Sequence, residues 1–200
     1  LRDITDERQY QQRISTLNKV LQQLTKTEST KAVKQTAANT LADILDASTV
    51  AFYRFDDAEW KLRPVVAANT TVSEAHDGEL PVIDPGSGIE WTTLKNGETT
   101  VVNDFERCET RGNIDRPVRS QMAVPIGDQC TLVVGDRQPS AFDDWTVTLV
   151  ETLGAVTEAA ISRMQQQQEL QQQNQNLREV EELNEQIREI AQTVVEADTR

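Results

Sequence analysis

The sequence predicts an α+β fold, a small sheet with flanking helices held between a long helix at each end. Three observations carry this. Two β-rich hairpin patterns, separated by a short helix and a strand, fill the middle of the 200 residues. Near both ends apolar residues recur at steps of three and four, the mark of a narrow helical seam. The phrase Ile14/Leu17-Asn18/Leu21/Leu24 also returns as Val180/Leu183-Asn184/Ile187/Ile190, and Ser29-Thr30-Lys31 is matched by Asp198-Thr199-Arg200. A tandem array cut mid-unit gives such repetition, so the chain reads as a fragment. Two unrelated amphipathic helices give the same spacing, and that reading stays open.

Element by element, Tyr10, Ile14, Leu17, Leu21 and Leu24 mark a first helix whose seam needs a partner. A second helix starts at the polar Thr27-Glu28-Ser29-Thr30 and carries a broader stripe, Val33, Ala37, Leu41, Ile44 and Leu45, ending near Asp46. Thr49 to Phe55 is β-branched and aromatic. Asp56 to Glu59 is a turn, and Trp60, Leu62, Pro64 and Val66 alternate with Lys61 and Arg63, completing a hairpin. Residues 69 to 85 form a long loop with the single histidine, His76. Ser87 to Glu90 reads as a capping box, with Ser87 accepting from the Glu90 N–H and Glu90 reaching back. The short helix it opens runs to Leu94 and stops at Asn96-Gly97.

Thr99 to Val102 is a third strand, followed by an irregular stretch from Asp104 to Arg119. Met122 to Ile126 and Cys130 to Gly135 then form a second hairpin about Gly127-Asp128-Gln129. Leu132, Val133 and Val134 do not alternate, which predicts a central strand covered on both faces. Pro125 predicts a less fully paired position. From Asp143 the pattern is helical through Leu149, Leu153, Val156, Ala160 and Met164, and continues towards Val194. Unbroken, that helix is ~75 to 80 Å long, more than one domain's core can cover. Leu170 and Leu177 are seven apart, but the strict alternation Val180, Leu183, Ile187, Ile190 does not extend back through them. That is a stammer near 177 to 183, where composition also turns from Gln/Asn to Glu/Arg, and it marks a module boundary. Gln165 to Asn176 also fits a plain polar linker.

With 37% apolar residues the chain can hold one ordinary core. The organisation expected is a coiled-coil helix over 1–27, a globular domain over 28–164 and a linker or signalling helix over 165–200. No apolar run reaches the ~20 residues of a membrane span, and the acidic N-terminus carries no leader pattern, so a cytoplasmic location without membrane contact is expected. A net charge of −13 argues against direct contact with nucleic-acid backbone. Abundant acid, with Arg favoured over Lys, suits a halophile's cytoplasm, though an ordinary acidic protein shares the trait. Cys108 and Cys130 have neither metal-ligand spacing nor the look of a disulfide framework.

Gly86-Ser87-Gly88-Ile89-Glu90-Trp91, then Glu98 to Asp104, then Arg119-Ser120-Gln121-Met122-Ala123-Val124-Pro125-Ile126 together resemble the GAF domain family over roughly residues 28 to 164. The resemblance implies a GAF-like, PAS-related antiparallel sheet of five to six strands, with helices packed on one face and a small-molecule pocket on the other. A narrower likeness of the acidic composition and the tail Leu177 to Arg200 is to haloarchaeal bacterio-opsin-activator-like regulators, which are similar in carrying sensory modules before a C-terminal helix-turn-helix domain. On that likeness DNA is contacted by a further C-terminal domain of the parent protein.

GAF relatives include free methionine-(R)-sulfoxide reductase. Where that family has a GRGVCG segment, this chain has Glu90 in the cysteine's place. Cys108 lacks a resolving partner, and Cys130 reads as a small core residue. Bilin attachment, haem ligation by His76 and the cyclic-nucleotide signature all lack support in these residues, so no cofactor is assigned and no metal site is expected. The resemblance puts candidate ligand contacts at Trp91, Asp104, Phe105, Cys108, Arg111 and Met122.

The function expected is a non-catalytic sensory or regulatory module that senses a small molecule or redox state. It signals as a parallel homodimer through Ile14, Leu17, Leu21 and Leu24 and through Leu170, Leu177, Val180, Leu183, Ile187 and Ile190. A ligand-free dimerisation spacer is the alternative, and a sulfoxide reductase-like enzyme the remoter one.

Overall fold

The computed structural model describes residues 29–69, 80–107 and 118–198. The chain divides into two compact units between Ile161 and Ser162. In the first, α1 (Thr30–Leu45) opens at Ser29, whose side chain accepts from the Ala32 N–H, and closes at Asp46 in the left-handed region. This is the polar start and the stop near Asp46 that the sequence predicts. A hairpin follows, β1 (Thr49–Asp56) and β2 (Lys61–Ala68), then α2 (Gly88–Asn96), β3 (Thr100–Val102) and a 3-10 turn at Phe105–Arg107. A second hairpin, β4 (Ser120–Ile126) and β5 (Cys130–Asp136), leads into α3 (Asp144–Asp198). Asp143 caps α3, its Oδ1 accepting from the Thr146 N–H at 2.8 Å.

The sheet has five strands in the order β2-β1-β5-β4-β3, all neighbours antiparallel. β5 lies at its centre and Cys130 to Gly135 is buried throughout, as the unbroken apolar run requires. β3 covers only Gln121 to Ala123 of β4, so Pro125 lies where β4 has β5 as its one strand neighbour among the described residues. A residue with no N–H fits there without breaking a ladder.

Alternation divides the sheet into two faces. On one, Ala51, Tyr53, Ala123 and Val133 cluster with Leu62, Ile83 and Ile89, the last from α2. The other carries the buried Val50, Phe52, Met122, Val124, Leu132 and Val134. α1 packs there, with Lys34 reaching Cys130. So does the first part of α3: a Cβ at Gly154 would lie 2.8 Å from Ile126 Cδ1 and 3.3 Å from Val124 Cγ1.

Two local expectations are corrected. Trp60 is not part of β2, although its ring still meets Phe55 and Trp91. It sits in the hairpin turn with φ 55° and is 63% exposed, because the turn's hydrogen bonds run instead from the Ala58 and Glu59 N–H groups to Asp56 Oδ1. Ser87 does flank α2, but makes no side-chain capping bond. Glu90 turns inward from it and is 1% exposed. The second unit is the rest of α3, which is a single helix from Asp144 to Asp198.

Candidate functional site

α2 lays one stripe on the sheet, and Ile89, Glu90 and Thr93 are its buried residues. Spacings of three and four put such positions on one helical face, so the acid is carried into the interior with its apolar neighbour. From the sheet side, Gln121 shares the face of Ala123 and lies opposite Gly135 in the β4–β5 register. Its Nε2 donates to Glu90 Oε1 at 2.6 Å. Desolvation of both groups strengthens this bond and makes either alone costly.

The pair lines a cavity between β1, α2, β4 and β5, with Thr49 and Tyr53 as further polar neighbours and Ala51, Leu80, Val118 and Val133 as apolar walls. A Cβ at Gly135 would stand 3.0 Å from Val118 Cγ1, so the glycine lets that wall approach closely. Free space in the cavity is about 30 Å³, room for roughly two water molecules. A carboxyl beside a carboxamide in an apolar setting can accept hydrogen bonds from one small donor-bearing group. Among the described residues no sulfur lines it. Cys130 is buried on the opposite face, the core position expected for it. Among the described residues no cluster of His, Cys, Asp and Glu has metal-binding proximity.

None of the described residues singled out from the sequence belongs to the lining of this cavity. Trp91 makes tilted and edge contacts with Trp60 and Phe55, at ring-centroid distances of 6.5 and 5.8 Å, and packs against the inner cluster, as does Phe105. Asp104 receives two bonds from Arg119 Nη2, at 3.2 and 3.0 Å, and the Glu106 N–H. Partial burial pushes its carboxyl up, but the Glu106 N–H and the Arg119 guanidinium, aided by the Arg107 charge, outweigh this and hold Asp104 below its ordinary value. Met122 lies on the helix-covered face, since Gln121 and Ala123 take the cavity side. Cys108 and Arg111 fall outside the described residues, as do Ile14, Leu17, Leu21 and Leu24. Leu170, Leu177, Val180, Leu183 and Ile187 are exposed along α3, and Ile190 lies in the same helix.

Sequence pattern alone does not single out Glu90 or Gln121 as site residues. The capping pattern accounts for Glu90 locally, although its place one residue after Ile89 and three before Thr93 puts it on the buried stripe. Gln121 is in phase with Ala123, which marked its face but not its partner.

A GAF domain family model matches residues 27–162. No curated protein matches the chain. Among solved structures, the chain is similar to the GAF domain of an Acinetobacter phosphoenolpyruvate-protein phosphotransferase at 16% identity and a TM-score of 0.63, over 75% of this chain and 92% of that one. It is also similar to free methionine-R-sulfoxide reductase from Neisseria meningitidis, in complex with its substrate, at 18% identity and a TM-score of 0.67, over 77% and 90%. A third similarity is to a GAF domain/HD domain protein from Geobacter sulfurreducens, at 16% identity and a TM-score of 0.58, over 72% and 97%. At these identities the likeness is one of fold, shared by a reductase and by domains with other attachments. With the matched segment spanning α1, the whole sheet and the start of α3, the chain belongs to the GAF domain family.

Proposed function

We propose that this chain is a non-catalytic sensory and regulatory module of a multidomain transcriptional regulator. It takes a small donor-bearing molecule at Glu90 and Gln121 and signals through dimeric helices. The observation that carries this is the 2.6 Å Glu90–Gln121 bond at the wall of an apolar cavity. A purely structural core has little use for a buried carboxyl, because an apolar residue of that volume serves packing without the desolvation cost. The acidic composition and the tail from Leu177 support a haloarchaeal, bacterio-opsin-activator-like parent acting in the cytoplasm. In such a parent DNA contact belongs to another domain, since a charge of −13 opposes it here. Reductase activity is disfavoured by Glu90 standing where the reductase pattern has cysteine and by the burial of Cys130 away from the cavity.

In the proposed mechanism the ligand enlarges the cavity and repacks α2 against the sheet, whose other face carries the first part of α3. The resulting bias acts on the helix phase near 177 to 183, giving two registers as the bistable element. The exposed apolar series from Leu170 to Ile187 is the seam of a parallel homodimer.

One observation favours the rival reading of a ligand-free spacer: the free space of about 30 Å³ is small for any metabolite. Native mass spectrometry and thermal shift in high salt separate the two. A copurifying or stabilising small molecule, whose effect Glu90→Ala abolishes, is expected. No stabilising compound across amines, amino acids and nucleobases, together with a Glu90→Leu variant more stable than the wild type, would overturn the sensory reading.

A further inference from the structure

On the face of the sheet away from the cavity, α1 and β5 bring together two reactive side chains that the proposed function does not use. Lys34 belongs to the sheet-facing stripe of α1, with Val33, Ala37 and Leu41, and is 7% exposed. A lysine so placed is usually matched by a carboxylate. Here its Nζ instead donates to Cys130 Sγ at 3.1 Å, across 96 residues of sequence, and among the described residues no carboxylate pairs with it. Cys130 is a free thiol, 8% exposed, and is the first residue of β5, beside the Gly127-Asp128-Gln129 turn. It therefore lies at the rim of the sheet, within reach of an oxidant no larger than a few atoms.

We propose that Lys34 and Cys130 form an oxidative crosslinking site, in which a hydroperoxide joins Nζ to Sγ through one bridging oxygen. Starting from the amine and the thiol, the first hydrogen peroxide oxidises sulfur by two electrons. The S–H and O–O bonds break, an S–O bond forms, and one water leaves the sulfenic acid. The second oxidises nitrogen. The sulfenic O–H and one N–H of Lys34 break, an N–O bond closes on the same oxygen, and the two hydrogens and two electrons convert the peroxide to two waters. The product is Lys34 Nζ–O–Sγ Cys130. A sulfenic acid in an exposed position proceeds to the sulfinic acid or finds another thiol. In this position the amine already at hydrogen-bond distance intercepts it, and close packing leaves little room for a second oxygen on sulfur. The bridge ties α1 to the central strand, so oxidation fixes α1 onto the sheet.

The test uses the whole chain with Cys108→Ser, leaving Cys130 as its single thiol. After native treatment with hydrogen peroxide, unfolding, alkylation and digestion, mass spectrometry should find the Lys34 and Cys130 peptides joined, heavier than their sum by one oxygen less two hydrogens. Alkylatable thiol should fall in parallel, and dithiothreitol should restore it. Lys34→Arg keeps a long nitrogen-bearing side chain but should abolish the joined species and leave Cys130 open to a sulfenic-acid trap. Should that variant fail to fold, Lys34→Met serves the same comparison. The proposal is overturned if Cys130 stays alkylatable, or appears as sulfinic acid with Lys34 unmodified, in a chain still folded by circular dichroism. Neither result bears on Glu90 and Gln121, so this site and the cavity stand or fall separately.

Discussion

Asp104 ties the 3-10 turn at Phe105–Arg107 to the start of β4. Its carboxylate takes the Arg119 guanidinium and the Glu106 N–H, and the Phe105 N–H donates to the Arg119 carbonyl at 2.8 Å. Its folded pKa lies below the ordinary 3.8. A depressed carboxyl contributes stability that is fully present above the unfolded value and is lost as pH falls through the lower, folded one. The urea midpoint of the wild type should thus exceed that of Asp104→Asn by a constant margin from neutral pH to about 5, then converge with it below about 4. Molar salt should narrow the margin, because Arg119 is partly exposed. A margin unchanged at pH 2 would mean that shape rather than charge holds the turn. Asp104 is legible in the sequence as a residue of interest, but its ion pair is not. Its Arg119 partner lies fifteen residues away across an irregular stretch that no periodicity describes. Glu90 was hidden for a different reason, since a Ser-x-x-Glu pattern has a complete local explanation at a helix start. Only the sheet beneath α2 reveals that the side chain points inward.

At the level of elements, α3 crosses the sheet where Gly154 allows close approach to Val124 and Ile126. Glycine inside a helix costs about 1 kcal/mol relative to alanine, which the contact with β4 offsets. Gly154→Leu should lower stability by about 1–3 kcal/mol through overpacking, measured by urea unfolding. A neutral result would show that α3 can lift from the sheet without loss. Most elements were readable because their patterns are strong. β5 declared itself by an uninterrupted apolar run, β1 by β-branched and aromatic residues, and α1 by a stripe at Val33, Ala37 and Leu41. The face on which a residue falls was not readable. Met122 and Gln121 are adjacent, both nearly fully buried, and point to opposite sides, and a one-residue slip of register exchanges them. Nor does alternation show where β2 begins: the pattern runs on to Trp60, but the strand pairing ends at Lys61.

For the whole molecule, the exposed apolar series on α3 predicts association. The chain should sediment as a dimer, and Leu183→Asp with Ile187→Asp should give monomers whose circular dichroism retains the sheet. A monomeric wild type would remove the basis for dimeric signalling. Adding one alanine between Arg178 and Glu179 lengthens the Leu177-to-Val180 step from three to four and removes the stammer. The dimer should persist while any ligand-dependent change in α3 disappears.

The shortness of β3 has its own result. Beyond Ala123 the outer side of β4 has no strand neighbour among the described residues, and an open strand edge is a template on which other chains can add. Here the unpaired stretch includes Pro125, which has no N–H to offer, and Glu98, Glu151 and Glu158 share the groove beside it. Another strand approaching this edge meets a gap in the ladder and three carboxyl groups. The protein thus leaves its sheet unfinished on this side while denying the vacancy to aggregation.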